Sequence, residues 1–411
     1  MPRFSPTRFP PGFFDLPADA GHALPLDVIA AWTRSAQTPE VARELLGPYT
    51  LRGIVVSSDT AGLTRLTAER SLIEILAMVS RPKELVHAYG KAIGGIPLGV
   101  WAADNTQMFY PEGIPAAHVL SLLLALTDKV SAECEVGIGL CVHHGVFYEL
   151  GQGVYGPDAD RVEAVAEDHV EAGEIAVTGE IARMVGEAGF TLTPRDDLRD
   201  SFGEILRVVE GPRLRNLLAT DFRYPLPFSD EFYGGLHEFN RTRRSSIVPR
   251  PAYREATIVV VEREREDPDV PEVAALNDLA LAAAVKRIGG SLVEDLAGIE
   301  VKTSNAVSIY AFDDARHAVD FSRKLRATLA DQRVRLRIGI DIGRVLIFDL
   351  AGGQHDLAGS PVNIASKLAQ EGGGFGVIRL TAAAARRAGL PDVVGSRGVR
   401  VGGVTVEAID I

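Results

Sequence analysis

VHHGVFYEL (142–150) and IDIGRVLIF (340–348) are the stretches on which the fold turns. The two match each other around a central glycine. Gly145 and Gly343 lie 198 residues apart. A second pair, GEIAVTGEIARMVG (173–186) and GVIRLTAAAARRAG (376–389), places Thr178 and Thr381 203 residues apart. A period near 200 is too long for a solenoid repeat and fits a duplicated domain. In the later copy the elements read as strand TIVVV, long helix VAALNDLALAAAVKRIGG and strand NAVSIYAF. A hairpin in RLRIGIDIGRVLIF, a helix opening at Pro361 and strand VIRLT follow. Strands interleaved with helices and hairpins predict an α/β fold of the α+β sandwich kind, two ferredoxin-like domains, and not an all-parallel sheet.

The chain has 411 residues, 46% hydrophobic and 24% charged, a globular composition long enough for two domains. The boundaries read as an extension over 1–48, a domain over 49–218, a connector over 219–252 and a domain over 253–411. The extension is Pro-rich, then carries a short helix in LDVIAAWTRS. The connector holds FRYPLPFSDEFYGGLHEF (222–239), whose aromatic density predicts packing against another element. A net charge of −12 with no Lys/Arg-rich tract argues against a nucleic-acid or anionic-membrane partner. Two cysteines, Cys134 and Cys141, make neither a disulfide framework nor a zinc site. No apolar run is long enough to span a membrane, and MPRFSPTRFPPGFF has prolines where a signal peptide has its apolar core. A soluble cytoplasmic protein is the expectation.

The candidate chemistry divides between the two halves. In GIVVSSDTAGLT an apolar strand delivers Asp59 to a turn at Ala61–Gly62, and GVWAADNTQMFY sets Asp104 in an apolar stretch. Two strand-end carboxylates suit one or two Mg²⁺ ions, which take a few carboxylates plus substrate phosphates; each also reads as an ordinary turn residue. The second half offers Lys302 in GIEVKTSNAVSIYAF and the stretch HDLAGSPVNIASKL (355–368). There Ser360 and Pro361 open a helix. Asn363 and Lys367 stand four apart, so they share a face, and Asp356 precedes them. Taken singly, each reads equally as a solvated polar residue. Cys141, His143 and His144 read as core and hairpin residues, with no further ligand nearby to make a metal site.

The combination resembles the class III nucleotide cyclases. VRLRIGIDIGRVLIFDLAGGQHDLAGSPVNIASKLAQEGG (334–373) is similar to their hairpin, loop and helix opening Gly-x-x-Val-Asn-x-Ala-x-Arg. Gly359, Val362, Asn363 and Ala365 match, with Lys367 in place of the arginine. SSDTAGLT resembles the family's first metal-binding turn, and AADNTQMFY its second metal aspartate, 45 residues on. The resemblance implies two cyclase domains paired as a pseudo-heterodimer, within the chain or with a second copy. It implies Asp59 and Asp104 as ligands of two Mg²⁺ or Mn²⁺ ions, and ATP as the substrate. Lys302, in a Lys-Thr dipeptide, and Asp356 are implied as the adenine-recognising pair. Asn363 is implied as the ribose-orienting residue and Lys367 as the group that stabilises the transition state.

Compared with each other, the halves have lost complementary sets. Ala306 stands opposite Asp104, and Glu262 opposite Asp59 without the glycine turn. Val100 stands opposite Lys302, Gly153 opposite Asp356, Asp160 opposite Asn363 and Ala164 opposite Lys367. One working composite site and one lost site follow, and the implied reaction is ATP to 3′,5′-cyclic AMP and pyrophosphate. Two departures support an alternative, an inactive cyclase-like nucleotide-binding regulator. Lys367 replaces a planar guanidinium with a point charge. Val146 stands where an arginine would meet the triphosphate, with Arg344 on the side of the lost site and Arg397 or Arg400 as substitutes. The extension and connector are the candidate regulatory segments.

Overall fold

The structure, a computed structural model, describes residues 24–60, 70–98, 105–150, 153–220, 222–223, 230–242, 252–264, 270–303, 307–332, 334–349, 355–370, 374–390, 397–401 and 404–411. Helices α1 (Leu26–Thr33) and α2 (Pro39–Leu46) come first. The first sheet region then runs β1 (Thr50–Thr60), α3 (Leu72–Ala92), β2 (Ile96–Leu98), β3 (Thr106–Pro111), α4 (Ala116–Glu133), β4 (Ile138–Leu150) and β5 (Gly153–Tyr155). It continues through α5 (Pro157–Asp168), β6 (Ile175–Thr178), α6 (Gly179–Val185), β7 (Thr191–Pro194), α7 (Arg199–Phe202) and β8 (Ile205–Glu210). Helix α8 (Asp230–Thr242) lies between the sheets. The second region runs β9 (Ala252–Arg263), α9 (Pro271–Asp295), β10 (Gly298–Thr303), β11 (Val307–Phe312), α10 (Ala315–Ala330), β12 (Leu336–Asp349) and β13 (His355–Ala358). It closes with α11 (Ser360–Gln370), β14 (Ile378–Thr381), α12 (Ala382–Arg387), β15 (Arg397–Val401) and β16 (Val404–Asp410).

The duplication is visible strand by strand. The first sheet has the order β2-β3-β1-β4-β6-β8-β7 with β5 on β4. The second has β10-β11-β9-β12-β14-β16-β15 with β13 on β12. Gly53 faces Gly145 across β1 and β4, and Ala256 faces Gly343 across β9 and β12, so the registers correspond. Each sheet has apolar residues on both faces. In the first, Ile54, Val56, Leu140 and Val142 pack under α3 and α4, while Val55, Cys141 and Phe147 pack under α5. That is why its strands read as near-continuous apolar runs. Burial pushes the Cys141 thiol up to about 12, so it stays a neutral core group.

Three local readings are revised. RLRIGIDIGRVLIF is one continuous strand, β12, and the hairpin is made with β13. Gly343 is there for a close approach: a Cβ would stand 2.9 Å from Pro361 Cγ at the start of α11. Between NAVSIYAF and β12 lies an amphipathic helix the sequence reading omits, α10, whose first turn is capped by Asp314 accepting from the Arg316 amide at 2.9 Å. The C-terminal pair β15–β16, also omitted, extends the second sheet.

Helix α11 sits unusually close to β12. A Cβ on Gly339 would come within 1.9 Å of the Ala365 carbonyl oxygen, and Gly359 enters the helix at φ +154. Between Gly339 and Gly343, on the same strand face, is the buried Asp341, which accepts a hydrogen bond from Thr381 Oγ1 at 2.6 Å. Burial pushes its carboxyl up to about 6. The folded state therefore holds this proton more tightly than the unfolded chain, whose aspartates titrate near the ordinary value. Stability falls as pH rises through about 4 to 6, and above 6 the penalty is complete. Asp341→Asn removes the penalty while keeping an acceptor for Thr381. The expected gain is about 2–3 kcal/mol at pH 7.5 and close to none at pH 4, read from denaturant unfolding at both pH values.

Candidate functional site

Asp59 is the next-to-last residue of β1, half-buried, and its register partner on β4 is Gly139. No side chain fits at 139, because a Cβ would meet Val170 Cγ1 and its carbonyl oxygen, each at 2.9 Å. The corresponding pair on the second sheet is Glu262 and Arg337. There the guanidinium donates to Glu262 Oε2 from Nη2 at 2.7 Å and from Nε at 3.1 Å, and it stacks on Phe375 at 4.3 Å. The second sheet thus answers its strand-end carboxylate with an internal cation, while the first places a glycine beside Asp59. A carboxylate at a half-exposed strand end is a hard oxygen donor of the kind Mg²⁺ and Mn²⁺ take, so Asp59 fits a metal ligand. Asp104, the turn after Asp59, Val100 and Ala306 lie outside the described residues.

The other candidates gather on the second sheet. Asp356 is buried in β13, pairs with Phe348 and accepts the Leu357 amide at 2.8 Å. Lys302 is half-buried on the edge strand β10, beyond a register shift that begins at Glu300. β10 lies against β13, which brings the strands of Lys302 and Asp356 together. Glu300, the other charge of that strand, is engaged by Lys286 and by Thr303 Oγ1, the latter at 3.1 Å. Asn363 and Lys367 stand half-buried on α11, whose Pro361, Ala365, Leu368 and Ala369 form its buried side. Arg400 is in β15, paired with Thr405.

The registers test the comparison between halves. Leu150 pairs with Gly153 as Phe348 pairs with Asp356, so Gly153 does stand at the Asp356 position. Gly156 (φ +111) and Gly359 (φ +154) open α5 and α11, which sets Asp160 at the Asn363 position and Ala164 at the Lys367 position. One correspondence is corrected. Leu98 pairs with Gln107 as Lys302 pairs with Ile309, so the counterpart of Lys302 is Leu98 rather than Val100. The two-residue slip arises because the paired positions are 7 residues apart in the second sheet (302 and 309) and 9 in the first (98 and 107).

The two halves meet within the chain. Tyr253, Leu346 and Ala358 of the second domain pack on Ile73, Leu76 and Ala77 of α3, with Phe232, Leu236 and Phe239 of α8 beside them. Helix α3 follows Asp59 in the chain, and Ala358 is two residues from Asp356. The Tyr253 hydroxyl hydrogen-bonds the Ile73 backbone, and burial raises its pKa. Arg344 lies over the Tyr253 ring at 4.3 Å. Its guanidinium thus lies beside the ring that hydrogen-bonds the start of α3. Val146 is half-buried, packs with the second domain's core cluster and donates its amide to Asp158 Oδ2 at 2.9 Å.

The reciprocal contact uses the extension. Tyr148, Leu150 and Tyr155 of the first hairpin share one core cluster with α9, α1 and α2. Trp32 Nε1 donates to Asn277 Oδ1 of α9 at 2.9 Å, and both are buried. Likewise α8 docks on α3, with Tyr233 donating to Glu84 at 2.8 Å and Asn240 to the Ala77 carbonyl at 2.6 Å. Each segment that precedes a sheet clasps the first helix of the opposite domain.

No protein-family model matches the sequence, and no curated protein matches it significantly. Among solved structures, a class III adenylyl cyclase-like ATP-binding protein from Pseudomonas aeruginosa is similar at a TM-score of 0.53 and 12% identity, covering 82% of this chain and 85% of that one. The guanylyl cyclase Cya2 is similar over 39% of this chain and 92% of its own, at 17% identity and a TM-score of 0.34. The adenylyl cyclase CyaB from P. aeruginosa covers 39% and 95%, at 16% identity and a TM-score of 0.33. Among the described residues no helix is long and apolar enough to cross a membrane. Two sheets of one strand order, joined in a single chain that matches the Pseudomonas protein over most of its length, give this protein the class III adenylyl cyclase-like fold, with two such domains in tandem.

Proposed function

We propose that the chain is an adenylyl cyclase, forming 3′,5′-cyclic AMP and pyrophosphate from ATP at one composite site between its domains. The observation that supports this reading is the duplicated cyclase-like fold in which one half carries Asp59 and Asp104 and the other Lys302, Asp356, Asn363 and Lys367.

In this reading Lys302 donates to adenine N1 and Asp356 accepts from the exocyclic amine. Guanine reverses that pattern and leaves buried polar groups unpaired, at about 1–3 kcal/mol each. Asn363 orients the ribose so that its 3′-hydroxyl lies in line with the α-phosphorus. Lys367 neutralises charge building on the phosphoryl oxygens, with Arg400 assigned to the triphosphate. Asp59 and Asp104 hold two Mg²⁺ or Mn²⁺ ions, which supply a lowered hydroxyl pKa and charge neutralisation on the phosphates when bound. The second reading, a nucleotide-binding regulator, draws on Lys367 in place of arginine and on Val146.

The experiment is cyclic-nucleotide formation by the purified chain, given ATP or GTP with Mg²⁺ or Mn²⁺. Cyclic AMP from ATP, with GTP at least about tenfold poorer, is the expected result. ATP binding without product from either nucleotide would establish the regulator instead.

A further inference from the structure

The edge strand β10 carries one residue more than its counterpart β2. In the first sheet the consecutive residues Pro97 and Leu98 pair with Met108 and Gln107. In the second, Glu300 pairs with Tyr310 and Lys302 with Ile309, so Val301 is an extra residue, a β-bulge. The bulge decides a face. In a regular strand residues two apart share a side, and Lys302 would lie on the side of Glu300. Cross-strand partners share a side as well, so Glu300 and Thr303 go with Tyr310 and Ser308, whereas Lys302 goes with Ile309. Tyr310 packs towards α9, where a Cβ on Gly289 would meet its hydroxyl. Val301 and Ile309 instead share a cluster with Ala365 and Ala369 of α11. The extra residue thus moves Lys302 from the α9 side of the sheet to the side of the helix that carries Asn363 and Lys367.

A polar group on the α9 side spans the bulge. Glu300, before it, is held by Lys286 of α9, and Thr303, after it, donates its hydroxyl to Glu300 Oε1 at 3.1 Å. Thr303 is buried, and the Lys286 and Glu300 side chains are only 19% and 18% exposed. Apolar side chains would fill that space without the cost of desolvating charge, and fixing a register is the best-attested use of such a pair. A register needs fixing here. β10 ends its sheet, so a bulge in it can slide along the strand, and a slide of one residue turns Lys302 to the other face. We propose that Lys286, Glu300 and Thr303 form a staple across the bulge. Glu300 and Thr303 are then positioning residues that keep Lys302 on the α11 side and so set the preference for adenine over guanine. The staple touches no nucleotide; it acts through Lys302. The inference rests on the reading of Lys302 as an adenine-recognising residue.

The test is binding of ATP and of GTP to the full chain with Mg²⁺, each measured by displacement of fluorescent N-methylanthraniloyl-ATP, which needs no turnover. The chains compared are wild type, Lys302→Ala, Glu300→Ala, Thr303→Val and Thr303→Ser. Wild type is expected to prefer ATP by about tenfold or more, and Lys302→Ala to lose that preference. Glu300→Ala and Thr303→Val are expected to lower the preference by about threefold to tenfold. Thr303→Ser keeps the hydroxyl and is expected to keep the wild-type ratio. A purely structural role would lower the melting temperature and weaken both nucleotides alike, leaving the ratio where it was. An unchanged ratio in both Glu300→Ala and Thr303→Val overturns the staple while the role of Lys302 stands. A wild type without the preference, or a preference that Lys302→Ala leaves intact, overturns both. Thr303→Val keeps the side-chain shape, so it decides the matter should Glu300→Ala, which strands Lys286, fail to fold.

Discussion

Asp59→Ala is expected to lower cyclic AMP formation by about 10²–10³-fold or more, with the circular dichroism spectrum and melting temperature little changed. The size follows from what the site must do. In-line attack on a phosphoryl group involves little covalent work for the protein, so neutralising charge and positioning the hydroxyl account for most of the rate. Asp59 sits at a half-exposed strand end beside a glycine, so its removal leaves no large cavity. Glu262→Ala is the matched control, at the same register position on the second sheet. It leaves Arg337 without its cross-strand acceptor, a partly exposed ion pair worth at most about 1 kcal/mol, and turnover should stay within about twofold. Equal losses of turnover in the two variants would contradict a single working site.

The largest stability effect is expected from Trp32→Ala, at about 3–5 kcal/mol in denaturant unfolding. Trp32 is fully buried in the cluster that α1 and α2 share with α9 and the first hairpin. Truncation opens a cavity between the domains and strands the buried Asn277 amide oxygen, which accepts from the indole at 2.9 Å. Trp32→Phe keeps most of the packing and loses the hydrogen bond, so about 1–2 kcal/mol should separate it from wild type. Circular dichroism is the suitable probe, since Trp32 is one of only two tryptophans. A loss below about 1 kcal/mol for the alanine variant would mean that the extension is not part of the second domain's core.

The extension shows where sequence reading stops. LDVIAAWTRS announces a helix, but amphipathicity states only that one face must be covered, not by what. The partner is α9, more than two hundred residues away, and α8 repeats the arrangement on α3. Gly343 makes the same point at atomic scale. A glycine within a strand reads as a bulge or a close approach, and only the seat of Pro361 against it decides for the second.

Determined by the sequence alone were the duplication, the mixed sheet class, the start of α11 after Gly359, and the placing of Asp59 and Asp104 in one half and of Lys302, Asp356, Asn363 and Lys367 in the other. These are matters of residue type and spacing, which covalent order preserves. Tertiary structure alone decided that the halves pair within one chain and that β12 runs unbroken. It also set Leu98, not Val100, opposite Lys302, and paired Glu262 with Arg337, 75 residues on. Each of those depends on register or on a contact between distant segments, and strand register is fixed by which faces bury against each other, a property no local stretch contains.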